Sequence, residues 1–575
     1  MTHRFHHDLL GLIPPDARII LEVGCGAGAL ADAYRRINPD VRYLGIETSA
    51  EAARLAESPG RLDRVVIGDA AVVEPGALGL PDPRAEDQQP TVDCLVFGDV
   101  LAQMVDPWGV LARLSRWVRD GGQVLACIPN VQHFSVLVDL LRGRWDYQEQ
   151  GLLDRAHLRF FTLASVRDLF HRSGLELFEI VPGWGPDSGF DRFQQVMAPV
   201  LRDLGIDPAA FALQTRAAHY VVRSLRATVP PRRMVIWSLL GSAIASEVRI
   251  GEPGAFLATI PGVRVVTGTG VQFDDLGRTW PGEDKVFLQQ RVIIPRSDHL
   301  RLQRALLAHG YLIVGEFDDD PDHFAELGRT EAFALRACHC LQTTTEVMAD
   351  SLRAHNPHVM VFPNQVATLS PPRADPDPSA AGSVTLFFGA LNREADWAPI
   401  LPALNRLLAV HGNAVRVQVV YDRSFFDALT TPHKAFEPLC SYDRYRSLLG
   451  AADIALLPLE PTRFNAHKSD LKFIESAAQG AAALASPTVY ARTIRHGETG
   501  LIYHSPDEFS ALLDRLIRDA PFRRGLAQNA YRYVAGHRLL ARHYRARYDG
   551  YRAMLDRRDQ LDAELRRRVP ELSVP

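Results

Sequence analysis

Two stretches of the sequence place reactive residue types at spacings that can do chemistry. The first is Glu22-Val23-Gly24-Cys25-Gly26-Ala27-Gly28, which follows a short apolar run, Ala17 to Val23, and precedes a run of helical periodicity, Ala29 to Ile37. Glycines at a strand-to-helix turn let the chain bend sharply and let a ligand lie against bare backbone. Glu47 closes a second apolar run about 20 residues further on, where a carboxylate can accept both hydroxyls of a ribose. This much asks for a nucleoside cofactor. The spacing Gly24-x-Gly26-x-x-Ala29 also fits a dinucleotide pattern, which keeps a nicotinamide-dependent sugar oxidoreductase open.

Three further positions favour S-adenosylmethionine. Glu22, two residues before the first glycine, can meet an ammonium group through the loop and water. Asp69-Ala70 follows a third apolar run, where an Asp can take an adenine amino group. Gly98-Asp99 ends a fourth, at the mouth of the cleft, with Asp99 either touching the cofactor or orienting the acceptor.

The second stretch runs from Asn465 to Gly480. Lys468, Lys472 and Glu475 fall at i, i+4 and i+7, one face of a helix, with Ser469 or Asp470 available to cap its first turn. Backbone donors, helix dipole and lysine charge at one helix start all favour a diphosphate. Glu475, further along that face, is then placed to hold ribose hydroxyls. A solvated amphipathic helix is the plainer alternative, since charge spacing alone often produces one.

The elements around these stretches alternate strand and helix, which implies α/β layers built on parallel sheets. Strands are expected at Ala17–Val23, Tyr43–Ile46, Arg64–Ile67, Cys94–Phe97 and Gln123–Ile128, with Glu74 to Pro90 as a surface loop. A helical run, Ala217 to Leu225, ends in Pro230-Pro231. A second series follows at Met234–Trp237, Arg264–Val266, Lys285–Leu288, Tyr311–Val314 and Cys340–Gln342. After a Pro/Asp/Ala-rich linker between Leu369 and Ser383, a third occupies Thr385–Phe388, Val415–Val420, Ile454–Leu457 and Ala482–Ala485. From Pro506 the chain is helical and Arg-rich, and the residues after Val569 are expected to be unordered.

The ordered set from Glu22 to Asp99 resembles the class I S-adenosylmethionine-dependent methyltransferases over about residues 17–130. Gly143-Arg144-Trp145-Asp146-Tyr147 and Gly151 to Thr162 resemble a block in methyltransferases attached to surface-glycan glycosyltransferases. The resemblance implies a cofactor site of Glu22, Gly24, Gly26, Gly28, Glu47, Asp69, Ala70 and Gly98. Catalytic expectations fall on Asp99 and His157, whose imidazole can take a hydroxyl proton near neutral pH. That His157 and Arg159 merely pin a loop is the competing reading. Ala451 to Leu459, Lys468 to Gly480 and His496 to Tyr503 resemble the donor domain of retaining GT-B glycosyltransferases, from Phe388-Gly389 to about Tyr548. That resemblance implies a nucleotide-diphosphate sugar held by Lys468, Lys472 and Glu475, with Lys472 catalytic. The position eight before Glu475, where the group often has a second glutamate, is His467.

Glu247 to Pro253, Gln289-Gln290-Arg291 and Gln342 to Glu346 resemble the other GT-B half. Asp318 and Asp319 in Glu316-Phe317-Asp318-Asp319-Asp320 are read there as acceptor-side residues rather than metal ligands, because GT-B enzymes generally stabilise the leaving diphosphate without a metal. The expected domains are 1–229, a methyltransferase with a helical tail; 230–372, the acceptor-side half; and 373–575, the donor half with C-terminal helices. Together these imply a bifunctional enzyme of glycan biosynthesis acting on a sugar or glycan acceptor, lipid-linked in one version. The alternative is an active methyltransferase joined to a non-catalytic glycan-binding module.

Bulk properties agree with this and exclude other classes. The 575 residues are too many for one core. A net charge of −4 gives no footprint for nucleic acid. Met1 to Pro15 lacks a secretory pattern, and no apolar run reaches the roughly 20 residues that span a bilayer. Six scattered cysteines read as reduced, cytoplasmic usage. Cys338-His339-Cys340 lacks a second ligand pair and reads as a buried strand edge. The Arg-rich C-terminal helices leave peripheral attachment to the inner membrane face open, a solvated face being the plainer reading.

Overall fold

A computed structural model describes residues 8–85, 87–185, 188–227, 229–241, 246–271, 273–371 and 383–573. Most of the linker expected between Leu369 and Ser383, and the first half of Met1 to Pro15, lie outside the described residues. The chain forms two compact units, Met1–Pro231 with Ala258–Pro261, and Arg232–Leu257 with Gly262–Pro575.

The front unit is built on one sheet of β1 (Ile19–Val23), β2 (Arg42–Glu47), β3 (Arg64–Ile67), β4 (Val92–Phe97), β5 (Val118–Pro129), β6 (Leu177–Trp184) and β7 (Ala217–Arg226), in the order β3-β2-β1-β4-β5-β7-β6. The first five strands are parallel. β1 lies between β2 and β4, so the strand order reverses there, and the carboxyl ends of β1 and β4 diverge into a crevice where open α/β sheets bind ligands. β4 is buried along its whole length, as a strand covered on both faces must be. Leu21, Leu95 and Phe97 feed one core, Ile20, Cys94 and Val96 the other.

Three expectations are corrected here. Ala217 to Leu225 is not helical: it is β7, antiparallel to both β5 and β6. Its first eight residues are all buried, so no polar face marks either period, and its pairing decides the structure. The sheet is therefore mixed, and the expected helical tail is a helix pair, Phe190–Asp203 and Pro208–Arg216, inserted between β6 and β7. The Glu74 to Pro90 loop contains a 3₁₀ turn, Pro75–Leu78, and buries Leu78 and Leu80 in the core, because its apolar residues have a sheet edge to cover.

The rear unit holds two all-parallel six-stranded sheets. One contains β8 (Met234–Leu240), β9 (Val263–Gly268), β10 (Asp284–Gln290), β11 (Leu312–Glu316), β12 (Cys340–Thr343) and β13 (Val359–Val361), in the order β13-β12-β11-β10-β8-β9. The other contains β14 (Val384–Ala390), β15 (Val415–Tyr421), β16 (Lys434–Glu437), β17 (Ile454–Leu457), β18 (Ala482–Ala485) and β19 (Leu501–Ile502), in the order β16-β15-β14-β17-β18-β19. Each reverses order beside its first strand.

The helices Tyr544–Leu555 and Arg558–Arg568 return to the first of these sheets. Leu565, Val569 and Leu572 share a core with Phe333 and Ala337, and Asp562 and Glu564 meet His339 at 2.7 Å and His358 at 2.5 Å. Residues 570–573, expected to be unordered, are a 3₁₀ turn that buries Leu572 and pairs Glu571 with Arg296 at 2.5 Å, and residues 574–575 lie outside the described residues. Cys340 begins an interior strand, not an edge, and the Cys338 and His339 side chains beside it are buried.

Candidate functional sites

In the front unit a cavity of about 740 Å³ opens at the reversal of strand order, within the range of small-molecule sites. Val23, Gly24, Glu47, Asp69, Ala70 and Asp99 line it, six of the expected positions or their immediate neighbours. Gly24, Gly26 and Gly28 have φ of 74°, 51° and 81°, the left-handed region that penalises any side chain. Their tasks differ. A Cβ on Gly24 would run into Val100, and one on Gly28 into Leu62, so Gly28 serves the packing of the helix Ala29–Arg35 against its neighbours. A Cβ on Gly26 would meet nothing, yet Gly26 N–H donates to Glu47 Oε2 at 2.8 Å, tying the loop to the carboxylate. Glu47 Oε1 accepts from Ser49 N–H at 2.9 Å.

Glu22 does not line the cavity. It is buried beneath the loop, accepting from the Tyr43 hydroxyl at 3.0 Å, and burial pushes its carboxyl up to about 8. Held there by Tyr43, it makes no direct contact with the cavity, and any effect on a ligand passes through the loop. Gly98 is likewise absent from the lining, while Asp99 heads the 3₁₀ turn Val100–Gln103. His157 is not brought to the cavity: it is buried with Nδ1 3.3 Å from the Leu152 carbonyl. Its block instead clamps one cavity wall. Leu158 and Arg159 N–H both donate to the Ala102 carbonyl, at 2.8 and 2.9 Å, and Arg159 Nη2 donates to the Val105 carbonyl at 2.6 Å.

Sequence reasoning missed Gln103, Met104 and Arg113 on the same wall; Arg113 Nη2 donates to the Ala70 carbonyl at 2.5 Å. It also missed a histidine–carboxylate pair at the carboxyl end of β5, where His219, opposite Pro129, has Nε2 3.0 Å from Asp8 Oδ2. Asp8 and Asp99 both push the nearby Cys127 thiol up after burial has done most of that work. Read as a helix, residues 217–225 give no sign that His219 lies at a strand end beside β5.

In the rear unit a smaller cavity, about 210 Å³, is lined by Arg291, Asp318, Asp319, Arg393, Lys468 and Lys472 among others. The backbone around the lysines differs from the expected face. The helix is Leu471–Ala478, so Lys468 precedes it and only Lys472 and Glu475 lie on it. Asp470 takes the N-cap position, and Ser469 Oγ accepts from Leu471 N–H at 3.4 Å. Ser469 Oγ accepts from Asn364, and Asp470 is held by Arg538 at 2.6 and 2.8 Å and by Thr493. With Asp470 making no side-chain cap bond, the first turn faces the cavity through Ser469, Leu471 and Lys472.

Glu475 is buried and absent from the lining. Tyr442 donates to it at 2.9 Å, and Tyr445 and Lys472 approach at 3.4 and 3.3 Å. Tyr421, Tyr445 and Tyr442 stack with ring planes 3° and 9° apart, a platform unforeseen in the sequence although Tyr442 and Tyr445 share a helix face. His467 is also held away, between Ser351 Oγ and the Arg463 carbonyl at 2.8 Å each, with Asp320 3.6 Å off. Asp318 and Asp319 do reach the cavity. Arg291 Nε meets Asp318 Oδ1 at 2.5 Å, Arg291 Nη2 meets Asp319 Oδ2 at 2.7 Å, and the Lys468 ammonium pairs with Asp319 Oδ1. Arg393, unforeseen, donates to Asn465 at 2.9 Å and pairs with Asp396 at 3.2 Å. Among the described residues no cluster of three or more His, Cys, Asp or Glu could hold a metal ion, and no helix is long and apolar enough to cross a membrane.

A methyltransferase-domain family model matches residues 3–180, and a glycosyl transferase-like model matches residues 393–550. The ubiquinone biosynthesis O-methyltransferase of Cupriavidus pinatubonensis is 24% identical over 161 residues, 28% of this chain and 61% of that protein. That of Paracidovorax citrulli is 32% identical over 115 residues, 20% of this chain and 44% of that protein. The chain thus spans less than two thirds of these relatives. Among solved structures, Anabaena HepE in complex with UDP and glucose is similar at 14% identity and a TM-score of 0.40, covering 56% of this chain and all of that one. A Thermotoga maritima S-adenosylmethionine-dependent methyltransferase is similar at 17% and 0.26, covering 39% of this chain and 88% of that one. The chain carries a methyltransferase domain in front and a glycosyltransferase-like domain behind, on the class I methyltransferase and GT-B folds.

Proposed function

We propose that these two domains make the chain a bifunctional enzyme of glycan assembly. The front unit methylates an oxygen of a sugar or glycan, and the rear unit transfers a sugar from a nucleotide-diphosphate donor to a glycan acceptor. One observation carries the reading: each unit has a cavity where the strand order of a sheet reverses, beside β1 and β4 in front and beside β14 and β17 behind, the front one with carboxylates at the strand ends and the rear one with four cations. The match to a methyltransferase model weighs against a nicotinamide oxidoreductase.

The front cavity fits S-adenosylmethionine. Glu47, which ends β2, would hold the ribose hydroxyls and Asp69 the adenine amino group, with Val100, Met104 and Val110 as apolar walls. Bound there, the cofactor supplies an electrophilic methyl group. The protein's own work is orientation, and in-line transfer is mainly a matter of positioning. Asp99, at the cavity mouth, orients the acceptor hydroxyl. The His157 block keeps the Val100–Val105 wall in place rather than taking the proton.

In the rear cavity Lys472, and Lys468 once free, neutralise the charge that develops on the leaving diphosphate, alongside the first turn of the helix Leu471–Ala478. A second reading, a rear unit that binds glycans without turnover, is favoured by His467 being turned away from the cavity.

Calorimetric titration with S-adenosylhomocysteine and with UDP, GDP and dTDP tests both sites. Wild type should bind the first ligand and one of the nucleotides. Gly26→Arg should lose only the first, and Lys472→Ala should weaken the nucleotide at least ~10-fold, a typical loss for a charge-assisted contact. Silence toward S-adenosylhomocysteine defeats the front reading. Silence toward every nucleotide leaves the rear unit a scaffold.

A further inference from the structure

Four cations line the rear cavity, and each has a carboxylate partner within the protein. The partners are of two kinds. Asp396, on Arg393, and Glu475, on Lys472, are not part of the lining, so they balance their cations without standing in the cavity. Asp318 and Asp319 are part of it. Asp319 is shared: Oδ2 is held by Arg291 Nη2 at 2.7 Å, while Oδ1 takes the Lys468 ammonium. Arg291 itself has φ of 48°, a left-handed backbone that a non-glycine residue keeps only where surrounding structure enforces it, as at ligand clamps. The cavity of about 210 Å³ is smaller than the roughly 300 Å³ at which small-molecule sites begin, so these side chains occupy room a ligand needs.

We propose that Asp319 is an internal stand-in for the anion this cavity takes: the donor diphosphate displaces it from Lys468, and the Oδ1 so released becomes the ligand of the acceptor hydroxyl. The proposal rests on the donor-site reading above. Because Arg291 keeps hold of Oδ2, the carboxylate is freed in place rather than lost to solvent. Before the exchange, both oxygens are taken by cations and Asp319 has little to offer a hydroxyl. The two substrates are thereby ordered, donor before acceptor, by one ion pair. Asp319 is the residue that positions the acceptor, and Lys468 is the switch that exposes it.

Inorganic pyrophosphate, which carries the charge shared by every nucleoside diphosphate, is the probe. Calorimetric titration of the full chain compares wild type with Asp319→Asn, Lys468→Ala and the double variant. With its competitor neutralised, Asp319→Asn should bind pyrophosphate about five- to tenfold more tightly at pH 6.5, the scale of a partly buried ion pair. The double variant should show no such gain.

The pH profile separates this from loosened structure. Burial already holds the Lys468 pKa below its ordinary value, against the charges of Asp319 and Asp318 and with that of Arg393. Removing the Asp319 charge lowers it further, so the ratio of variant to wild-type affinity should fall as pH rises; a purely structural change leaves that ratio flat. Should Asp319→Asn fail to fold, Asp319→Ser gives the same reading. Equal or weaker binding by the Asp319 variant, with Lys468→Ala weakening wild type, overturns the exchange and leaves the donor site standing. If Lys468→Ala changes nothing in either background, the anion is not at Lys468 and the exchange is overturned, while the donor site stands or falls on Lys472→Ala.

Discussion

At the scale of single residues, the carboxylates of this chain divide by whether they face a cavity or support one. Glu22 is the clearest supporting case. Its ordinary value of 4.5 is raised to about 8 by burial, so folding favours the protonated acid. Stability from this group is fully present below pH 4.5 and is lost as pH rises toward 8, at about 1.4 kcal/mol per pH unit across that interval. Glu22→Gln keeps an acceptor for the Tyr43 hydroxyl without a proton to lose. The front unit of this variant should be as stable as wild type at pH 5 and more stable at pH 8, read from its thermal transition at the two pH values. His157→Ala should weaken S-adenosylhomocysteine binding only a few-fold, through a slackened wall, and leave the pH profile of methyl transfer where it is. A profile that loses its acidic limb would restore the imidazole as proton acceptor. The sequence made Glu22 and His157 look like ligands because their types and neighbours suit the task; which way a side chain points depends on partners such as Tyr43 and Leu152, which no local spacing discloses.

At the scale of elements, legibility followed the turns and polar segments that bracket each apolar run. β1 to β4 were readable because glycine turns and polar helices bracket short apolar runs. β7 was not, since burial on both faces erases the alternation that separates strand from helix. The lysine helix was misread for another reason: i, i+4, i+7 spacing counts residues whether or not the backbone is helical, and here it begins only at Leu471. What fixes that start is Asp470, whose carboxylate is spent on Arg538, at the C-cap of the helix Ala520–His537. Asp470→Ala leaves a largely buried guanidinium unpaired and should cost the rear unit about 2–4 kcal/mol, measured by denaturant titration. Gly183 is a second element-scale test. Its missing side chain makes room for the His219 ring between β6 and β7. Gly183→Ala should cost the front unit about 1–3 kcal/mol, as overpacking does, and displace His219 from Asp8, visible as a shifted imidazole resonance.

At the scale of the whole molecule, the sheet orders carry most of the functional argument, because a reversal of strand order creates a crevice before any side chain is chosen. That level was legible early: alternating strand and helix already implied α/β layers, and the glycine loop and the lysine segment marked two of the carboxyl ends. The return of residues 544–573 onto the first rear sheet was not, as its Arg-rich surface hides the three apolar positions Leu565, Val569 and Leu572. Removing 558–573 should unfold the rear unit while S-adenosylhomocysteine binding by the front unit persists within about twofold, a selectivity that limited proteolysis and calorimetry would both register. The same return has a consequence during synthesis. A ribosome makes β8 to β13 some two hundred residues before the segment that closes over Phe333 and Ala337. The front unit can finish folding as it emerges, but the middle of the chain must wait with an open core, and is a natural client for a chaperone until translation ends.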